Sequence, residues 1–184
     1  WNRHQDLGFL QRIYPGLMRM YRYLAGHTAG SPTRPFTPPL IVTWPLFYNS
    51  GGWDDYPPQK RVHEQKLTGS VAPIAPTALL SRAARILASF AERLGKATEA
   101  VALRGEAEEM GAATIEHGYD QDSGYCGYVL FDDAGNPTGI LRSEEGENAN
   151  MGLDGVMPLL TGVLDRQKRD RVFAKLDSSG GLWS

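Results

Sequence analysis

The stretch Trp44-Pro45-Leu46-Phe47-Tyr48-Asn49-Ser50-Gly51-Gly52-Trp53-Asp54-Asp55-Tyr56-Pro57-Pro58-Gln59 holds the densest chemistry in the chain. Two adjacent carboxylates, Asp54 and Asp55, stand among aromatic rings and glycines. Aromatic faces stack on the apolar faces of sugar rings, and Asp, Asn and Gln side chains hydrogen-bond hydroxyls. Trp44, Tyr48, Trp53 and Tyr56 are therefore candidates for a subsite wall, and Asn49, Asp55 and Gln59 for hydroxyl contacts. A carboxyl pressed against Trp or Tyr loses solvation, which raises its pKa. A general acid needs that property to hold a proton near neutral pH. The same residues read equally well as an Asx turn that shapes the Gly-Gly-Trp-Asp-Asp bend.

Other reactive residues are weaker candidates. The run Glu144-Glu145-Gly146-Glu147-Asn148 could supply a base or a Ca²⁺ ligand, but it lacks the Asp-x-Asp-x-Asp-Gly spacing, and such runs are usually solvated surface. His4, His27, His63 and His117 show no His-x-x-x-His spacing, so no metal site is expected. The single cysteine, Cys126, cannot close an internal disulfide, and its neighbours Tyr125 and Tyr128 suggest packing rather than nucleophilic catalysis. Ser50-Gly51-Gly52 is no Gly-x-Ser-x-Gly elbow, and no phosphate-cradling glycine loop occurs, so no cofactor is expected.

These residues need a frame, and 184 residues suffice for one domain with a core. Lys+Arg 19 against Asp+Glu 21 gives a net charge of -2, which argues against a nucleic-acid surface. No apolar run approaches the roughly 20 residues of a transmembrane helix. The start at Trp1 and the end at Gly180-Gly181-Leu182-Trp183-Ser184 read as internal positions of a larger domain.

Helical spacing of Leu7, Leu10, Ile13, Tyr14, Leu17, Met20, Tyr21 and Leu24 predicts a first helix capped by Asp6, kinked or divided at Pro15. His27 to Ala72 is rich in proline and lacks a period, so it should be mostly non-helical, with Leu40-Ile41-Val42 extended. Its aromatics make it an ordered loop rather than a disordered one. Residues 77–94 and 98–118 predict an antiparallel helical hairpin. Tyr125–Phe131 and Thr138–Arg142 predict a β-hairpin. Met151–Leu164 reads as one apolar helix, and Asp165 caps a charged helix ending near Leu176. The sum is an all-α fold with long loops and one small β-hairpin, more like part of a helical toroid than a four-helix bundle.

Gly51-Gly52-Trp53-Asp54-Asp55-Tyr56-Pro57-Pro58 resembles the motif of the six-hairpin α/α-toroid glycosidases. These include trehalases and glycoside hydrolase family 63, with its processing α-glucosidase I and mannosylglycerate hydrolases. Three further segments are similar to that family: Val71-Ala72-Pro73 with Thr77–Leu87, Leu153–Gly162, and Gly180–Ser184. The resemblance implies that residues 1–184 are a fragment of one toroid catalytic domain. It implies an inverting hydrolase of α-linked glucosides or related α-glycosides, with Asp54 as general acid and an oligosaccharide or glycoside as partner. It also implies that the general base lies beyond Ser184. The chain departs from the family at Pro57-Pro58-Gln59, where an Arg often follows the first Pro, so a sugar or structural contact differs. The alternative from another class is a non-catalytic helical carbohydrate-binding or interaction module, whose aromatic loop binds without cleaving.

Overall fold

The computed structural model describes residues 6–43, 57–150 and 152–177. The element order is α1 (Leu7–Leu24), α2 (Pro57–Glu64), β1 (Val71–Ala72), α3 (Ile74–Arg93), α4 (Ala97–Ala113), β2 (Val129–Phe131), β3 (Pro137–Ile140), α5 (Leu153–Val156), α6 (Pro158–Thr161) and α7 (Arg166–Leu176). A single π-type turn, Thr114–Gly118, extends α4. The architecture is mainly helical, with a three-stranded antiparallel sheet in the order β1-β2-β3.

α3 and α4 form the expected hairpin across the short link Leu94-Gly95-Lys96. Their shared face is small: Ala84, Ala88, Ala91, Ala100 and Ala107 are buried with Leu80, Leu87, Leu103 and Met110. Small side chains let the two backbones approach closely. α1 lays Tyr14, Met18 and Tyr21 on this pair. The tyrosine hydroxyls then donate to carboxylates on α4, Tyr14 to Glu99 at 3.0 Å and Tyr21 to Glu106 at 2.6 Å. Glu106 also meets His27 Nε2 at 2.6 Å and Arg34 Nη1 at 2.8 Å, which fastens the chain leaving α1 to α4.

Several expectations are corrected. α1 is not divided at Pro15, one of the two outcomes expected there. The packing of Tyr14 and Met18, on either side of Pro15, outweighs the lost backbone bond. Within 27–72 the described residues are mostly non-helical, as expected, but α2 is a helix that aperiodicity hid; prolines fit its first turn, where amides have no intrahelical acceptor anyway. α3 begins at Ile74, before the expected Thr77, again with a proline in its first turn. Thr98 is not the cap of α4; Lys96 holds that place without a side-chain bond. The single helix expected over 151–164 is two short ones, α5 and α6. Pro158 brings no amide to continue α5, and Gly162 ends α6 at φ 73°, a left-handed conformation glycine adopts without steric cost. The expected hairpin gains a third strand, β1, too short to show periodicity. By contrast, the Asp6 and Asp165 caps form, accepting from the amides of Phe9 at 2.9 Å and Lys168 at 2.8 Å.

Leu40-Ile41-Val42 lies in no strand, but its side chains alternate between two cores. Ile41 enters the α1/α3/α4 core, while Leu40 and Val42 enter a second core with Ala72, Val129, Phe131, Leu164 and Val172. A third, smaller cluster joins Val62 of α2 to Val71, Tyr128 and Leu141 around the sheet. Among the described residues, no helix is long and apolar enough to cross a membrane.

Candidate functional site

Residues 40–43 are fixed one amide after another. Ile41 N donates to Thr77 Oγ1 at 2.9 Å, Val42 N to the Thr33 carbonyl at 2.8 Å, and Thr43 N to the Val71 carbonyl at 2.9 Å. The Thr43 hydroxyl accepts from Gly69 N at 3.2 Å. Beyond the carboxylate motif, α2 is fixed as firmly. Val62 is fully buried against Val71, Tyr128 and Leu141, and Arg61 Nη1 donates to the Arg142 carbonyl at 2.7 Å. The residues that precede the motif, 40–43, and the helix that follows it, α2, are therefore both tied to the sheet region.

Of the predicted site residues, Trp44, Tyr48, Asn49, Trp53, Asp54, Asp55 and Tyr56 lie outside the described residues. So does the expected flanking of Asp54 by Trp53 and Tyr56 at a concave surface. Gln59 is described. It sits on the buried face of α2, 1% exposed, with neither amide atom hydrogen-bonded. A buried amide without partners carries a desolvation cost.

Sequence reading missed one carboxyl altogether. Asp154, at the start of α5, is completely buried. Burial pushes its pKa up to about 7, and the Tyr128 hydroxyl acts in the opposite direction. Neither carboxyl oxygen makes a well-formed hydrogen bond. The signal was a lone acid inside the apolar run Leu153-Asp154-Gly155-Val156-Met157-Pro158. The surrounding backbone is tight. Asn150 Nδ2 donates to the Cys126 carbonyl at 2.9 Å, and Cys126 N donates to the Gly155 carbonyl at 3.2 Å.

The remaining candidates do structural work. Cys126 is buried, and burial pushes its thiol up to about 12, which leaves it an inert hydrophobe at neutral pH. Glu144, Glu145 and Glu147 are exposed on a turn that Ser143 closes, with the Ser143 hydroxyl accepting from the amides of Glu145 and Glu147. A polar cavity of about 300 Å³ lies beside this turn, where Arg142 and Lys175 face Asp120, Glu145 and Glu147. Arg142 binds Asp120 at 3.1 Å. With Ser123 N donating to the same carboxyl, the bonds hold Asp120 below the ordinary carboxylate range although burial opposes this. No group of three His, Cys, Asp or Glu side chains among the described residues could hold a metal ion.

The described residues thus form paired helices around a small three-stranded antiparallel sheet, with the residues on either side of the motif tied to that sheet. Two solved structures share this fold. One is a GH63 mannosylglycerate hydrolase from Thermus thermophilus in complex with glucose, 17% identical at a TM-score of 0.59; the match covers 96% of this chain and 48% of that one. The other is an uncharacterised conserved protein from the same organism, 18% identical at a TM-score of 0.57, covering 96% and 49%. The chain thus spans about half the length of these solved relatives. The model of the family described as mannosylglycerate hydrolase MGH1-like glycoside hydrolase domain matches residues 41–184. This chain belongs to that family. No curated protein matches it.

Proposed function

We propose that this chain carries the general-acid part of an inverting glycoside hydrolase that acts on α-linked glucosides or related α-glycosides. The observation that carries the reading is the family match over residues 41–184, which includes the whole carboxylate-aromatic motif. In this reading Asp54 gives its proton to the departing glycosidic oxygen. Trp53 and Tyr56 desolvate it and, with Trp44 and Tyr48, form the wall on which the sugar ring stacks. Asn49, Asp55 and Gln59 take the hydroxyls. A hexose substrate is consistent with the glucose bound in one solved relative.

Inversion needs a second carboxylate, roughly 6.5–9.5 Å from the acid, to activate a water on the opposite face of the ring. That base belongs, in this proposal, to the part of the domain that this chain does not cover. The test uses the complete protein with an α-glucoside, following the first-formed product by proton NMR. The β-anomer appearing first supports the proposal. The α-anomer appearing first rejects inversion, and binding without any cleavage favours the carbohydrate-binding module.

A further inference from the structure

α1 and α3 leave an uncharged groove open between them. Leu17, Met20 and Leu24 stand on α1 at i, i+3 and i+7, and Ala83, Ile86 and Phe90 repeat that spacing on α3. The two rows wall a groove of about 330 Å³ that no charged side chain lines. Its one polar group, the Tyr21 hydroxyl, is committed to Glu106. The nearby arginines are used elsewhere: Arg22 pairs with Glu99, Arg82 donates to the Leu160 carbonyl, and Arg85 to those of Thr161 and Gly162. Yet Met20 is 64% exposed and Ile86 45%. Single exposed apolar residues are ordinary, such as Val101 on α4 between Thr98 and Arg104. A contiguous apolar groove is not, and it marks a surface that something covers.

The shape and the length of the relatives say what covers it. Each row runs along its helix for about 10 Å, two turns. Helix axes pack roughly 8–10 Å apart, so an occupant that meets both rows at once is about one helix wide. With no charge in the groove, its contacting face must be apolar. The match covers 96% of this chain but 48% of the glucose-bound relative, so the shared fold continues there for about as many residues again. We propose that the groove is an internal seam of the complete domain, filled by the apolar face of an amphipathic helix from the half of the polypeptide that this chain does not cover. The proposal draws on the length of the solved relatives, not on the glycosidase reading. Its test reads no catalysis, so either can fail without the other.

Methionine oxidation reports coverage without any substitution, because sulfoxide forms fastest where the thioether is accessible. The complete protein is treated with hydrogen peroxide, and each methionine is read by peptide mass spectrometry. Met20 should be protected at least about tenfold relative to the urea-unfolded protein, alongside the core residue Met110. Weaker protection of Met20 overturns the inference. Photo-crosslinking then identifies the occupant, with a diazirine analogue of methionine incorporated in place of the natural residue. Adducts of the Met20 peptide should fall outside residues 1–184 of the same polypeptide, at positions three or four apart as on one helix face. Adducts within residues 1–184 of the same polypeptide would show that this chain covers its own groove, and crosslinked dimers would show a second copy. Either result overturns the inference.

Discussion

The Thr43 amide donates to the Val71 carbonyl at 2.9 Å, which ties the residue before the motif-bearing segment to β1. The Thr43 hydroxyl closes the arrangement by accepting from Gly69 N at 3.2 Å, with Thr43 wholly buried. Thr43→Val keeps the shape and removes that acceptor, leaving the Gly69 amide without its partner. We expect a loss of about 1–3 kcal/mol in urea unfolding, with Thr43→Ser near wild type. Equal values for the two variants would show that the hydroxyl contributes nothing.

Glu106 gathers Tyr21, His27 and Arg34 onto α4. Removing its carboxylate strands a Tyr21 hydroxyl that is nearly buried. Burial, with the Glu106 carboxylate beside it, holds that phenol well above its ordinary range, so it stays a donor at any working pH. Glu106→Ala should cost about 1–3 kcal/mol, and Glu106→Gln less because an acceptor for Tyr21 remains. Thermal unfolding of both variants checks the order.

Two glycines should respond oppositely to alanine. Gly155 faces the carbonyls of Asn150 and Cys126, so Gly155→Ala should destabilise by at least about 1–3 kcal/mol through overpacking. Gly105 lies inside α4 with nothing within 4 Å of a built Cβ. Gly105→Ala should therefore stabilise by about 0.5–1 kcal/mol, since helical glycine carries an entropic cost. Melting temperatures moving in the same direction would contradict the packing described.

Asp154 should make stability fall with pH. Its folded pKa, about 7, lies above the ordinary value of 3.8, so the folded state holds the proton more tightly. The contribution is complete below the ordinary value and is lost as pH rises through about 7. A shift of that size corresponds to something on the order of 4 kcal/mol. The stability of Asp154→Asn relative to wild type should therefore rise between pH 5 and pH 8, measured by urea unfolding. A difference that does not change with pH would mean that Asp154 is ionised throughout.

What was legible in the sequence was periodic or local. The Ala-rich stripes announce the α3/α4 hairpin because small residues at helical spacing have few other uses. Asp6 and Asp165 announce helix starts because a side-chain acceptor there meets an orphan amide. Elements defined by distant partners were not legible. β1 is two residues that become a strand only by pairing Val71 with Leu130 and Ala72 with Val129. α2 hid behind its own prolines. Asp154 shows the same limit within the candidate site: its chemistry comes from being enclosed, and enclosure is a property of the neighbours Tyr128, Asn150 and Cys126, not of its spacing.

The central claim is that Asp54 is the general acid, and its leaving-group dependence tests it most directly. Asp54→Asn is nearly isosteric and cannot donate an acidic proton, a contribution of typically about 100- to 10,000-fold. In the complete protein, with circular dichroism as the fold control, kcat/KM should collapse on a glycoside with a poor leaving group and fall far less on one with a good leaving group. Asp55→Asn, assigned to positioning, should lower both alike or raise KM. Near wild-type activity of Asp54→Asn on the poor leaving group would contradict the claim, and leaving-group dependence in Asp55→Asn instead would move the acid by one residue.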